Sequence, residues 1–412
     1  MAHVDASVHN FNLGSATNLF KIKYGKLSDN VYNSANVLLG RMKKNYNFTG
    51  RQMEFPIPTT FSGGVGSRIL PQPNFSDEKM AQITAKKVYS VITVDRESIK
   101  AAQNDEGSFV RLTKHAVEKG VESYMRNASR MLFGSGDGVL GTGDGATAIT
   151  GTGTHADPYV ITISAASFKE ANWEEQDYVW TDAVGSTSVY YEVLSVAPAT
   201  RKISLVAIGG AAAPANTDII YMQGMNASFV GYEPQGLKGV LDATSGSLYG
   251  IPVARRWQAS QTAAGGAGLT TDRMNQVMLE VARKSGKVPN MILTSYTQFR
   301  KLLNLLEDQK QYNLDPRSAD LKGKVSFKGV EFMSSAGAVG VFPERFCDDD
   351  RMYFLNDNFI ECHHRPDFGW FDDDGTVFLR KASSDEYEAR YGGYFDNYIC
   401  PSFHGVLTGL AT

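Results

Sequence analysis

GSFVRLTKHAVEKGVESYMRNASRMLF, residues 107–133, is the stretch to which the rest of the chain has to be fitted. Val110, Val117, Val121, Tyr124, Ala128 and Met131 recur at intervals of three, four or seven, which places them on one apolar stripe of an α-helix. Glu122 and Arg126 fall elsewhere on the wheel and form an i,i+4 pair in the helix-supporting order. At about 1.5 Å per residue such a helix spans roughly 40 Å. Gly120 weakens it locally, and GSGDG at 134–138 stops it.

The far end of the chain, YGGYFDNYICPSFHGVLTGLAT at 391–412, is unlike a frayed polar tail. Its aromatics are followed by Ile399, Phe403, Val406 and Leu407, so this segment needs a layer to lie against. Between helix and terminus the pattern changes twice. From about 150 to 230, short β-prone runs (PYVITIS, DYVWTDAV, SVYYEVLSVAP, KISLVAI, DIIYMQG) alternate with turns, predicting a small antiparallel barrel or sandwich of about five strands. Helical patterning resumes at TTDRMNQVMLEVARKSG, where Thr270 or Thr271 can cap the start and Gly286 the end. A strand at 289–295, a helix at 296–308 and several further strands follow without a regular βαβ repeat, so the fold class is α+β. Ahead of the long helix, RQMEFPIPTTF and MAQITAKKVYSVITVD read as two strand arms around a Gly- and Pro-rich tip, and residues 1–40 as an extended arm.

Composition excludes several function classes. The 412 residues are 42% hydrophobic and 21% charged, ordinary for folded protein, and a net charge of −3 provides no global field for nucleic acid. Three widely spaced cysteines read as reduced thiols rather than a disulfide framework. No signal segment or long apolar run predicts secretion or membrane spanning. The glycine-rich GSGDGVLGTGDGATAITGTGTHAD at 134–157 lacks the Lys-Ser/Thr of a phosphate loop and has a helix before it rather than a strand, so it reads as a hinge. ECHHRPDFGWFDDDG at 361–375 reads as a strand and an acidic turn, because neighbouring strand residues point to opposite faces. CDDD at 347–350 reads as a solvated turn. Cys400 and His404 are set among apolar bulk, which fits an inert thiol rather than a nucleophile. No catalytic, cofactor-binding or metal residues are expected.

In the order and phrasing of these elements, over nearly its whole length, the chain resembles the major capsid proteins of tailed bacteriophages with the Hong Kong 97-type shell fold. The resemblance implies an N-terminal arm at 1–44, an E-loop at 45–95 and a P domain with its spine helix at 96–149. It further implies an inserted β domain at 150–229, an A domain at 230–385 and C-terminal P-domain strands at 386–412. The A-domain phrases are QGLKGVLD, YGIPVARRW, NMILTSYTQFRKL and FKGVEFMSS. In this family the arm and E-loop lie across neighbouring subunits, which implies inter-subunit roles for Phe55, Ile57, Arg68 and Phe75. Val117, Val121, Tyr124, Tyr398 and Phe403 are the expected core anchors joining spine helix and terminus.

The implied function is structural: self-assembly into hexamers and pentamers of an icosahedral shell around double-stranded DNA, without enzymatic activity or cofactor. The implied partners are copies of the chain itself, a separate scaffolding protein, a portal protein at one vertex and decoration proteins, with no membrane. Assembly would take place in the host cytoplasm. Family members that crosslink covalently use an E-loop lysine, but no lysine occurs from Arg51 to Glu78, so a non-covalent shell is expected. Encapsulin-type nanocompartments share the fold and are the alternative, although they are usually built from shorter chains without the arm and the β insertion.

Overall fold

The computed structural model describes residues 37–58, 78–96, 106–182, 184, 186, 188–225, 232–307, 330–334, 337–365, 369–371, 377–381 and 384–412. The N-terminal arm up to residue 36, Arg68 and Phe75 lie outside them, as does the side chain of Val117. Two compact units divide the chain. The first takes residues up to Arg51, Thr84–Ser129 and Cys362–Asp396; the second takes Gln52–Ile83, Arg130–Glu361 and Asn397–Thr412.

The first unit is organised by the strand Glu386–Ile399, 14 residues long, whose last residues from Asn397 on belong to the second unit. It pairs antiparallel with Lys86–Asp95, from Glu386↔Asp95 to Phe395↔Lys86. Its other edge carries the short strands Ile360–His364, Gly369–Trp370 and Phe378–Arg380, with Lys43–Asn45 beyond the first of these. The doublet in YGGY has a steric reason. A Cβ on Gly392 would sit 2.2 Å from the Val88 carbonyl oxygen on the paired strand, so no larger residue fits.

The predicted helix forms over Glu106–Phe133. Val121, Tyr124 and Ala128 are buried, as the stripe requires. Tyr124 meets Tyr391 edge-on at 5.3 Å, and Trp370 packs on Tyr391 at 5.0 Å. Gly120 has a purpose that periodicity did not reveal. A Cβ there would fall 2.4 Å from Ile92 Cδ1, and Ser90 Oγ donates to the Gly120 carbonyl at 3.0 Å. The missing side chain lets helix and strand approach closely, which offsets the poor helix propensity of glycine, about 1 kcal/mol.

The second unit holds two larger sheets. One orders its strands Val139–Thr142, Ile219–Met222, Tyr178–Thr181, Tyr190–Ala197, Lys202–Ile208 and Tyr159–Thr162, with every pairing antiparallel. A bridge between Gly143 and Ile163 joins the two outer strands and closes the sheet into a barrel. Ile161, Val179, Tyr191, Val193, Ile203, Leu205 and Ile220 fill the interior, and Trp173 packs with them. The barrel has six strands rather than about five and starts at Val139 rather than 150, because VLGT inside the glycine-rich run is itself a strand.

The other sheet is mixed, in the order Ser260–Ala263, Gly405–Thr408, Met352–Leu355, Met291–Thr294, Gly337–Pro343 and Val330–Ser334. Its first pair and the Met291–Thr294/Gly337–Pro343 pair are parallel. The helix Thr271–Ser285 lays Met274, Val277, Met278 and Val281 into this core. Thr270 caps it by accepting from Arg273 N at 3.3 Å, and Gly286 ends it at φ 69°. The helix Tyr296–Glu307 contributes Leu302 and the partly buried Phe299.

Three sequence boundaries move. The two-stranded hairpin is only Gln52–Pro58 with Glu78–Thr84, since Lys86–Asp95 leaves it to join the first unit's sheet. Residues 362–385, read with the 230–385 segment, belong to the first unit. The terminal segment 386–412 also divides: after Cys400 the turn Pro401–Phe403 redirects the chain, and Gly405–Thr408 becomes an interior strand of the mixed sheet.

Gly120→Leu should therefore destabilise the protein despite its better helix propensity, by about 1–3 kcal/mol of overpacking. Adding Ile92→Ala should return part of that loss. Thermal unfolding of the single and double variants checks this, and a more stable Gly120→Leu would refute the close-approach account.

Candidate functional site

The hairpin root is built around Tyr249. Ser247–Leu248 pairs with Ile251–Pro252, leaving Tyr249 and Gly250 as a two-residue turn with φ 54° and 80°. Such turns need positive φ at both central positions, a conformation that a tyrosine adopts only at a cost. Contacts around the ring hold it there. Tyr249 Oη donates to Asn397 O at 2.8 Å and accepts from Ile399 N at 3.1 Å, while its own carbonyl accepts from Gln82 N at 2.8 Å. The rings of Phe55 and Tyr249 each lie 5.4 Å from that of Tyr398. Hairpin, turn and terminal strand thus meet at one aromatic cluster. Phe55, for which the family resemblance implies an inter-subunit role, takes part in this cluster within its own chain.

Tyr398 and Phe403 are half-buried rather than deep core residues. Tyr398 faces the hairpin, and Phe403 stacks on Phe359 at 3.7 Å where the turn ends. Ile57 is half-buried on the outgoing hairpin arm.

A second cluster centres on Asp348, which the sequence placed in a solvated turn. Only 7% of it is exposed. Lys169, from the barrel, contacts its carboxylate at 2.6 Å, Arg351 at 3.1 Å and Lys238 at 3.6 Å, and Arg351 also pairs with Asp242 at 2.7 Å. Burial alone would raise the Asp348 pKa, but the three cations outweigh it and hold the carboxyl below its usual range. The sequence signal was lost because two of the three partners, Lys169 and Lys238, are far from Asp348 in the chain. A third pair, Arg130 with Glu233, is also buried; Glu233 accepts from Gly138 N at 2.9 Å as well. A carboxylate of the chain itself thereby takes up an amide of the glycine-rich run.

The remaining chemical candidates are occupied by structure. Asp144 accepts from Ala146 N and Thr147 N at 3.0 and 2.9 Å, closing a turn. Cys362 and His364 share one strand face at 3.0 Å. Among the described residues no three His, Cys, Asp or Glu side chains converge as metal ligands. Burial pushes the Cys400 thiol up to about 11, so it is not a thiolate at neutral pH. His404 is fully buried, and its Nδ1 accepts from Asn356 N at 3.2 Å.

A family model for the SU10 major capsid protein matches residues 206–365, from the barrel's Lys202–Ile208 strand through most of the mixed sheet. The chain is also similar to a chain of the cyanophage A-1(L) capsid asymmetric unit, at 14% identity over 91% of this chain and 93% of that one, with a TM-score of 0.54. The chain has the Hong Kong 97-type phage capsid fold. Weaker similarities are to a Mycobacterium phage Bobi chain (11% identity, 91% of this chain and 90% of that one, TM-score 0.43) and to the SrpI encapsulin of Synechococcus elongatus (7%, 91% and 87%, 0.40). No curated protein sequence matches the chain. For a capsid fold the relevant features are its projecting and recessed surfaces and the groups that hold them in place.

Acid should loosen those groups in two stages. Burial, foremost, pushes both His364 and His404 down to about 4; Lys44 and His363 add to the effect at His364. Each histidine is neutral when folded, so its contribution is full above the unfolded value of about 6.5 and is lost as pH falls toward the folded value. Asp348 has a depressed carboxylate, so its contribution is present above about pH 4 and is lost below it. Melting temperature should drop between about pH 6.5 and 4 and drop further in stronger acid, less so in Asp348→Asn. A flat profile over the upper range would contradict the buried-neutral histidines.

Proposed function

We infer that this chain is the major capsid protein of a tailed double-stranded DNA phage, a non-enzymatic structural subunit of the virion. The observation that carries this reading is the conjunction of the capsid fold with the capsid-family match over 206–365. The Gln52–Pro58/Glu78–Thr84 ribbon is its E-loop, the Glu106–Phe133 helix its spine and the mixed sheet its A domain, with the six-stranded barrel as an insertion. Copies assemble into hexamers and pentamers around the genome, in the host cytoplasm, with a separate scaffolding protein, a portal protein at one vertex and decoration proteins as partners. The family match favours this phage reading over an encapsulin-type compartment.

A two-stranded ribbon is marginally stable by itself, and Met80 on its return arm is 45% exposed. That geometry supports docking of the ribbon on a neighbour. With no lysine from Arg51 to Glu78, the tip of the E-loop offers no amine for an isopeptide bond, and the shell is held non-covalently.

Expression with the neighbouring phage genes should yield closed particles by negative-stain microscopy, and boiling those particles in detergent should release only single chains. Persistent monomers under all assembly conditions would sink the capsid reading. A ladder of covalent oligomers would sink the non-covalent one.

A further inference from the structure

Resting on the capsid reading, we propose that a basic cleft in the second unit seats the acidic turn Glu174–Tyr178 of a neighbouring copy, making a head-to-tail contact in the shell. The cleft has a volume of about 1090 Å³ and lies between the end of the Thr271–Ser285 helix, residues 255–258 and the Pro401–Phe403 turn. Arg255, Arg256, Arg283 and Lys284 line it, together with the apolar side chains of Ile57, on the hairpin arm, and Phe403. All three arginines are exposed, and Arg255 and Arg283 make no ion pair among the described residues. The only carboxylate among the described lining residues, Glu280, is already engaged by Thr262 and Gln276, each at 3.1 Å. Burial, and then the charge of Arg255, push the Lys284 amine below its ordinary range, as expected for a half-buried amine beside another cation.

A cleft lined by both cations and apolar side chains fits a peptide carrying both carboxylates and an apolar ring. It fits a nucleic acid less well. The buried Trp257 indole donates to Leu248 O at 3.1 Å and offers no face for a base, and one face of the Phe403 ring is taken by Phe359, so successive bases have no stacking platform.

The chain itself carries the complementary shape. On the barrel, Gln176 adopts φ 69° and donates its N–H to Val193 O at 2.7 Å, turning Glu174, Glu175 and Gln176 outward. Next in sequence, Tyr178 is 43% exposed and rests against Tyr190 at 4.9 Å. Carboxylates of this turn can pair bidentately with the cleft arginines, while the tyrosine meets the apolar side chains of Ile57 and Phe403. Because the two patches differ and lie on one chain, their contact is heterologous and propagates around a ring until it closes. The hairpin arm at the cleft rim links this contact to the element that reaches toward neighbours.

Charge exchange tests the pairing in the full chain. Arg255→Glu with Arg283→Glu, and separately Glu174→Lys with Glu175→Lys, should each cut shell yield about tenfold through like-charge opposition, with unchanged melting of the unassembled chain. Combining all four substitutions in one chain should restore the yield. The contact is overturned if either reversal assembles like wild type, or if the combined variant does no better than the separate ones. Shells that form normally from the reversed cleft but fail to retain DNA would overturn it in favour of nucleic acid. In each of those cases wild-type shells formed alongside leave the capsid reading standing; only failure of the wild type to assemble counts against that reading.

Discussion

The ladder between Lys86–Asp95 and Glu386–Ile399 is the constraint on which the rest depends. It joins positions near the two ends of the chain, so everything between them must leave the first sheet and return to it. Closing so long a loop costs conformational entropy, but the cost grows only logarithmically with length. Long excursions such as the barrel and the mixed sheet can therefore be accommodated within the loop, provided the ladder itself is secure. The first unit secures it sterically. Gly120 admits Ile92, Gly392 admits the Val88 carbonyl, and Tyr124, Tyr391 and Trp370 pack over the same strand.

Buried charge plays a different part in the second unit. An ion pair withdrawn from water often gains little net stability, because desolvation offsets the attraction. Its value lies in geometry, since breaking one side strands the other. Lys169 illustrates this: its amine reaches the Asp348 carboxylate and also donates to Phe346 O at 3.3 Å. A barrel attached only through its connecting strands would be free to swivel. One attached also through Lys169 is held in orientation on the mixed sheet, because that amine supplies the barrel's contact with the buried Asp348 cluster.

Local patterns were the legible part of this sequence. The long helix, the Thr270 and Gly286 caps and the barrel's strand-and-turn spacing depend on residues within a few positions of one another, and periodicity reports those directly. Partners distant in the chain were not legible. CDDD looked solvated because Lys169 and Lys238 lie far from it in sequence; YGIP gave no sign that Tyr249 would organise the hairpin root. The terminal segment was read as one layer because its apolar character runs unbroken past Cys400. The Pro401–Phe403 turn moves Gly405–Thr408 into a different sheet without changing that character. Composition does not encode which sheet an apolar strand joins.

The root of the hairpin shows how one element can be rigid at its base and dependent beyond it. Tyr249 is held in a left-handed turn, and the cost of order 1–3 kcal/mol for such a conformation persists only where surrounding contacts over-determine it. Here hydrogen bonds to Asn397, Ile399 and Gln82, with the Phe55 and Tyr398 rings, supply that determination. The base of the ribbon is consequently fixed by its own chain. Farther along, the ribbon alternates half-buried Met53, Phe55 and Ile57 with exposed residues and has no third strand among the described residues. A fixed base sets the direction of the arm, and a two-stranded arm gains by packing on another surface. Direction comes from the chain itself; on the proposed capsid reading, cover comes from a neighbouring copy.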